Sequence, residues 1–506
     1  MKKFKKITSF LLSFLMVFCL LPEFNKSFAA EKKLPKISWA GLEHAPLLEG
    51  EDQGVYAFSS NYYGNVQYKL WISKVGENKW ESAHDYSDAV YSEDPYFVNF
   101  NKKFEVGNYK ASLWVKSAGK KAGKYHNANG SYDSYYAFSF ACTKKGFVKT
   151  DKALNINKTE LNPNEEISIN GDGYNLKLHL YNPAENKWEN NLTEYGKNLS
   201  YSIKTPGNYI VDTWVRNDLS STNYDGWKLK AVTVKNDLNK VYEGSIKSIQ
   251  NKKEINDWDI AALKMAGADV KSDALSRNGK SFIDNKKEDV KKNIEKYTIS
   301  EYTKDLLSLS ALGANVKNFE GINYVEEVKK RLTDEDNYPN QTAWGIIALE
   351  SAGESYDKEA ALKFLLGFKN KDGGFTYGEG FPSDVDLTAM AVEAMTMAGK
   401  NKDDKDVSES LSYIKNIVKT GAFPWGENVE SLDQILMAAV CAKDDLKEYK
   451  INGHELIDEI LLYSNDKGEF KHEKSDKSIS DISTNQSLQA LATYKNNKNM
   501  FLELNK

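Results

Sequence analysis

Six apolar, small-residue segments recur through the second half of this 506-residue chain, and each stops at Gly or Lys. They read DIAALKMAGAD, LLSLSALGAN, AWGIIALESAGES, AMAVEAMTMAGKN, ILMAAVCAKDD and SLQALATYKNN, ending at Gly267, Gly313, Gly353, Gly399, Lys443 and Lys495. These ends stand 40 to 52 residues apart, which leaves room for two helices and their loops. Gly after a helix supplies the left-handed cap. Helices rich in Ala and Gly can crowd around a common axis. The alternate segments carry more charge, as in AALKFLLGFKNK, where Leu362, Leu365 and Phe368 mark one face. Six hairpins are enough to close a ring, so the spacing predicts an α/α toroid over residues 255–500.

A second motif has nearly the same period. NKDGGFTYG ends with Phe375 and Tyr377, KTGAFPWG with Phe423 and Trp425, and NDKGEFKH with Phe470 and His472. Each Gly permits a tight turn, and the aromatic ring can plug the joint between neighbouring hairpins. The stretches FLLGFKNKDGGFTYG (364–378) and NQTAWGIIALESAG (340–353) resemble the squalene-cyclase and prenyltransferase repeat superfamily. Lys369 stands where that repeat usually has Gln. The resemblance covers about residues 250–500. It implies a toroid of the kind that also carries animal cobalamin carriers and many bacterial exported proteins.

The first half reads as β structure. VQYKLWISK alternates so that Val66, Tyr68, Leu70 and Ile72 face one way. ENKWE occurs twice, at 77–81 and 185–189, and VGNYKASLWVK (106–116) is answered by PGNYIVDTWVR (206–216). Tyr132-Asp133 and Tyr224-Asp225 follow the two copies. These repeats predict two small antiparallel β-sandwich, immunoglobulin-like modules over 51–145 and 155–235. Residues 30–50 and 236–254 read as linkers. The recurring Tyr68, Trp71, Trp80, Tyr86-Ser87, Gly107, Tyr109 and Tyr132-Asp133 resemble the triple-tyrosine (three Y) domain. The second copy matches through Trp188, Gly207, Tyr209 and Tyr224-Asp225, with Tyr195-Gly196 in place of Tyr-Ser. The resemblance implies a sensor or cell-surface module rather than a catalyst. Strand-spaced aromatics pack in cores more often than they stack on a ligand; Trp71, Trp114 and Trp214 are the residues that separate those readings.

Residues 1–29 read as a signal peptide, with basic MKKFKK, apolar ITSFLLSFLMVFCLL and the small residues of SFA. Phe18 before Cys19 argues against a lipoprotein. Without that leader the balance is 63 basic to 71 acidic residues, a poor fit to nucleic acid. Only Cys142 and Cys441 then remain, and they fall in different predicted domains, so no disulfide is expected. Lys- and Asn-rich usage adds to the picture of a Gram-positive protein that is secreted or held at the cell surface, with no transmembrane segment after leader cleavage.

The segment PSDVDLTAMAVEAM (382–395) places Asp384 and Asp386 before a small-residue helix. Squalene–hopene cyclases use Asp-x-Asp-Asp-Thr-Ala here to protonate an alkene, and the resemblance would put the acid on Asp386. Leu387 replaces the third carboxylate, whose charge would raise the acid's pKa. Alkene protonation is therefore not expected. Neither the zinc set of the protein prenyltransferases nor any other metal or cofactor motif is present. Ser383 or Asp384 suits an N-cap. Helix N-termini around a ring would meet at one mouth, where Asp384, Asp386, Gln341, Gln434, Tyr377 and Trp425 are the candidate ligand contacts. The reading is an exported binding or adhesion protein, taking a glycan, the cell wall or a protein. The alternatives are a secreted glycan-active enzyme using Asp386, and a corrinoid carrier.

Overall fold

The computed structural model describes residues 34–506 except 61, 63, 78, 120, 121, 123, 128, 147, 151–153 and 155. The expected leader lies outside the described residues. The chain divides into a β unit that runs to Thr233 and a helical unit from Val234 to Lys506.

In the β unit, alternation dictates the strands. Along Asn65–Lys74, Val66, Tyr68, Leu70 and Ile72 are at most 1% exposed and share one face. This strand pairs antiparallel with Gly107–Ser117, which pairs with Ser134–Thr143. A three-stranded sheet of Lys36–Leu42, Gly54–Ser60 and Tyr96–Asn99 packs on it through Ile37, Val55, Ala57 and Val98. The second module repeats the plan. Asn175–Asn182 pairs with Gly207–Arg216, which neighbours Gly226–Val234, and Glu166–Asn170 pairs with Asn198–Ser202.

Residues 30–50 do not form the expected linker. Lys36–Leu42 pairs with Gly54–Ser60, and Leu47–Leu48 pairs parallel with the end of Ser134–Thr143. His44–Ala45 joins the second module's sheet beside Trp227 and Lys228. The segment thus threads both modules. Trp39 stacks on Tyr181 at 5.0 Å, next to a buried cluster of Tyr56, Phe58, Ile210 and Leu229. Short strands broken by Pro46 leave too little alternation to read in advance.

The helical unit holds twelve α-helices among the described residues: α1 (Leu238–Gln250), α2 (Asp257–Met265), α3 (Phe282–Asn293), α4 (Ile299–Ala311), α5 (Tyr324–Arg331), α6 (Pro339–Ser351), α7 (Lys358–Leu366), α8 (Val385–Met397), α9 (Lys405–Thr420), α10 (Val429–Cys441), α11 (Leu456–Leu461) and α12 (Asp481–Asn496). The six small-residue segments are the even-numbered helices. α2 packs on α4, α4 on α6, α6 on α8, α8 on α10, α10 on α12, and α12 back on α2. The circuit is closed. Side chains of Asn256, Thr298, Asp384, Asn428 and Ser480 accept backbone N–H groups at the starts of α2, α4, α8, α10 and α12, and α6 starts on Pro339. At the far ends Gly267, Gly313, Gly353, Gly399 and Lys443 all have positive φ. The sixth turn falls on Asn497, not Lys495, because Asn tolerates that conformation. No helix among the described residues is long and apolar enough to cross a membrane. Cys142 and Cys441 are both free.

Residues 236–254 are likewise not a linker, since they carry α1. Its Ser245 hydroxyl donates to Gly468 O at 2.6 Å, as the Ser410 hydroxyl of α9 donates to Gly373 O at 2.9 Å. A Cβ on Gly468 would lie 2.4 Å from Val241 O, and one on Gly373 would lie 2.4 Å from Glu409 O. Both glycines therefore serve one joint, and α1 is the charged partner helix that follows α11 around the circuit. Its polar face masked this in the sequence.

Gly244 of α1 tests the assignment. On an exposed helix, Gly→Ala gains up to about 1 kcal/mol. Here the added methyl would meet Lys467 O at 2.4 Å. Gly244→Ala is expected to destabilise the helical unit by about 1–3 kcal/mol, read as a lower midpoint in thermal unfolding.

Candidate functional site

The candidate contacts lie at the starts of α6, α8 and α10 and in the loops beside them. Asp384 caps α8. One carboxylate oxygen accepts Leu387 N–H at 2.8 Å, and the other accepts the Trp425 indole N–H at 2.9 Å. Trp425 is 73% exposed, so its ring stands at the rim with one edge tied down. Phe375 lies beneath, fully buried, its N–H given to the Thr388 hydroxyl at 2.8 Å. Phe470 repeats that bond with Thr484 at 2.9 Å. The aromatic joint and the helix start are thus one local device.

Asp386 sits one turn-position further in and is half-buried, with Oδ1 enclosed and unpartnered. Burial first, then the Asp384 charge, pushes its carboxyl up to about 7, while a Ser431 hydroxyl works the other way. Asp384 and Asp386 do share a site, because Asp384 is in the cap and not the helix. Tyr377, 42% exposed, belongs to it as well. Burial and the charges of Asp384 and Asp386 raise its hydroxyl. A cavity of about 560 Å³ adjoins, lined by Asn370, Asp372, Pro382, Ser383, Tyr413 and Pro424 among others.

Gln341 is not available to a ligand in the way its position suggested. Its carbonyl accepts Tyr338 N–H at 2.9 Å, and its amide nitrogen donates to Ser300 of α4 at 3.1 Å. Its neighbour Asn340 is the residue with an unpartnered oxygen. Gln434 is 2% exposed with Oε1 unpartnered.

Further residues join that the sequence reading left out. On α10, Glu430 lies 2.7 Å from His472 Nδ1 and accepts the Ser483 hydroxyl. That contact with Glu430 raises the His472 pKa. Asp433 is fully buried and takes only the Ser487 hydroxyl, at 2.7 Å on Oδ2. Burial drives its carboxyl well above the usual range. Glu393, two turns below Asp386 on α8, is fully buried with both oxygens unpartnered, and burial pushes it up to about 8. A lone acid inside an Ala- and Met-rich segment was the available signal in AMAVEAMTMAG and SLDQILMAAV. Among the described residues no three His, Cys, Asp or Glu side chains converge as a metal-ligand set.

In the β unit, Trp71, Trp114 and Trp214 lie on the sheet face away from the main core, stacked on further rings. Trp114 meets Trp71 at 5.4 Å and Tyr132 at 4.2 Å; Trp214 meets His179 at 4.2 Å and Tyr224 at 4.6 Å. The Tyr86 hydroxyl donates to Ser131 O, and the Tyr195 hydroxyl donates to Asn223 O. Tyr195 therefore fills the place of Tyr86 without a following Ser.

Raised carboxyls set a pH dependence. Asp386 and Glu393 keep protons in the folded chain that the unfolded chain releases near its ordinary carboxyl range. The contribution of these two groups to stability is expected to be full at about pH 4 and to be lost as pH rises to about 8, whereas the lowered Glu459 loses its contribution at more acid pH. Glu393→Gln should flatten that fall, measured by thermal unfolding at several pH values with the helical circular-dichroism signal.

No protein-family model matches the chain. No curated protein matches it either. Among solved structures it is similar to haptocorrin in complex with Cbi, at 16% identity and a TM-score of 0.34, over 50% of this chain and 65% of that one. It is similar to a polysaccharide lyase at 8% identity and a TM-score of 0.25, over 84% and 83% of the two chains. It is also similar to the native conformation of E. coli alpha-2-macroglobulin, at 9% identity and a TM-score of 0.20, over 93% of this chain and 32% of that one. The chain thus spans a little under two thirds of haptocorrin and about a third of the macroglobulin.

Proposed function

We propose that this is an exported, multimodular glycan-binding protein of the bacterial cell surface or its surroundings. The helical unit is an α/α toroid of the squalene-cyclase and prenyltransferase repeat kind, and the β modules are triple-tyrosine-like spacers or partner-binding units. The ligand sits at the mouth formed by the starts of α6, α8 and α10. One observation carries this reading: exposed Trp425 is bonded to Asp384, and exposed Tyr377 lies close to Asp384 and to Asp386, whose enclosed Oδ1 is unpartnered. Sugars present hydroxyl donors and a flat apolar face together, which is the chemistry such a site lacks. Closure of the helix circuit supports the toroid assignment.

A second reading is a glycan-active enzyme. It is favoured by Asp386, whose carboxyl near 7 would be half protonated at neutral pH and able to give a proton to a glycosidic oxygen.

A thermal-unfolding screen of the whole chain against soluble cell-wall glycans, corrinoids and prenyl diphosphates checks the proposal. A glycan at about 100 times its Kd should add roughly 2.7 kcal/mol. Trp425→Ala should remove that shift. A shift with corrinoid alone would overturn the glycan reading. Asp386→Asn separates the two readings, because it should abolish any turnover of the bound glycan while leaving binding within about tenfold.

A further inference from the structure

We propose that a second copy of this chain pairs with it along the open edge of the strand Ser134–Thr143, the two strands running antiparallel about Ala137. In the first β module this strand lies at one side of the larger sheet. Its inner edge pairs in unbroken register with the strand Gly107–Ser117. Its outer edge is met by Leu47–Leu48, and only at Cys142 and Thr143. Among the described residues no other backbone group bonds to residues 134–141.

The second module shows what such an edge carries when it is complete. Tyr132-Asp133 and Tyr224-Asp225 align the two modules, so Tyr135 takes the place of Trp227 and Tyr136 that of Lys228. There the first half of the strand Gly226–Val234 is covered. Trp227 pairs with Ala45 and Lys228 with His44, and Leu229 N–H donates to Glu43 O at 2.7 Å. The other half neighbours Glu160–Leu161, with Thr233 N–H donating to Thr159 O at 2.8 Å. Leu47–Leu48 does the second job in the first module, and nothing described does the first. What is missing is an antiparallel strand against the first half of Ser134–Thr143.

The residues of that half suit a copy of themselves. Proteins blunt sheet edges with charge, Pro, bulges or short strands. The far side of the same sheet is Glu81–His84, short, charged and irregular in register, and the second module's sheet ends on Lys187–Glu189. Ser134–Thr143 runs for 10 residues with no charge, no Pro and no register shift. Tyr135 is 54% exposed and Tyr136 41%. Alternation turns Tyr136, Phe138 and Phe140 toward the core side and Tyr135, Ala137 and Ser139 to the outer face. Pairing about Ala137 sets Tyr136 beside Phe138 and Tyr135 beside Ser139, so rings meet across the inner face and no like charges oppose. Pairing from Ser134 to Phe140 also stops short of Leu47–Leu48. A two-fold axis through Ala137 closes the contact at two copies.

Sedimentation velocity of the full chain over a range of concentrations tests this. A reversible equilibrium between one and two copies is expected. Ala137→Lys and Ala137→Glu each set like charges face to face on the axis, and each is expected to weaken pairing at least about tenfold. An equimolar mixture of the two variants should recover it, because Lys then faces Glu. Ala137 is exposed, so unchanged circular dichroism and thermal midpoints show that both variants fold. A single-copy mass at every concentration would overturn the proposal, as would pairing that neither substitution weakens. Loss of pairing in both variants with no recovery in the mixture would overturn the register about Ala137.

Discussion

Everything in the helical unit depends on how closely one hairpin can approach the next. At Gly373 and Gly468 the loop after one charged helix touches the backbone of the next charged helix, at a distance no side chain could share. A serine hydroxyl from that next helix, Ser410 or Ser245, then closes on the glycine carbonyl. The joint recurs on both sides of the ring, and α1 completes it. α12 packs on α1 as well as on α2. The circuit also brings the starts of neighbouring helices together, with Ser431 of α10 near Asp386 of α8 and Ser483 of α12 bonded to Glu430 of α10.

The starts of α8 and α10 are electrostatically unusual for that reason. A helix N-terminus favours a carboxylate, through its free N–H groups and its dipole. Asp384 uses this and remains a cap. Closure, however, also shields Asp386, Asp433 and Glu393 from water, which disfavours their charged forms. Acids on the α2 and α4 side gain lysine partners. Among the described residues, Asp386, Glu430 and Asp433 meet serine hydroxyls, Glu430 also a histidine, and Glu393 has no partner. Buried acids without partners cost stability, and here they fall on two neighbouring helices, α8 and α10.

Much of this was legible in the sequence. Small-residue helices ending in Gly gave the six-fold count, since a left-handed turn demands Gly, Asn or, at Lys443, a strained exception. Strand alternation placed Val66, Tyr68, Leu70 and Ile72 correctly. Ser383 or Asp384 read as a cap, and the structure gives that place to Asp384; Trp425 read as a candidate ligand contact, without its bond to Asp384. What escaped was long-range. A polar helix such as α1 looks like a linker until its glycine is seen against Lys467. Two-residue strands at 44–48 have no period of their own. Gln341 differed from Asn340 only in which side chain closes the helix box. Glu393 and Asp433 were visible as lone acids in apolar segments, but a sequence does not say whether a partner waits across the helix pair.

The most direct measurement is amide hydrogen exchange of the full chain with and without a saturating soluble cell-wall glycan. The first amides of α8 and α10 are held by the cap side chains of Asp384 and Asn428 and by His472 O, so a ligand that fixes those caps slows their exchange. The account requires new protection at residues 384–390 and 429–435, with little change in the β unit. Protection confined to the stacked rings around Trp114 or Trp214, with the helix starts unchanged, would contradict it.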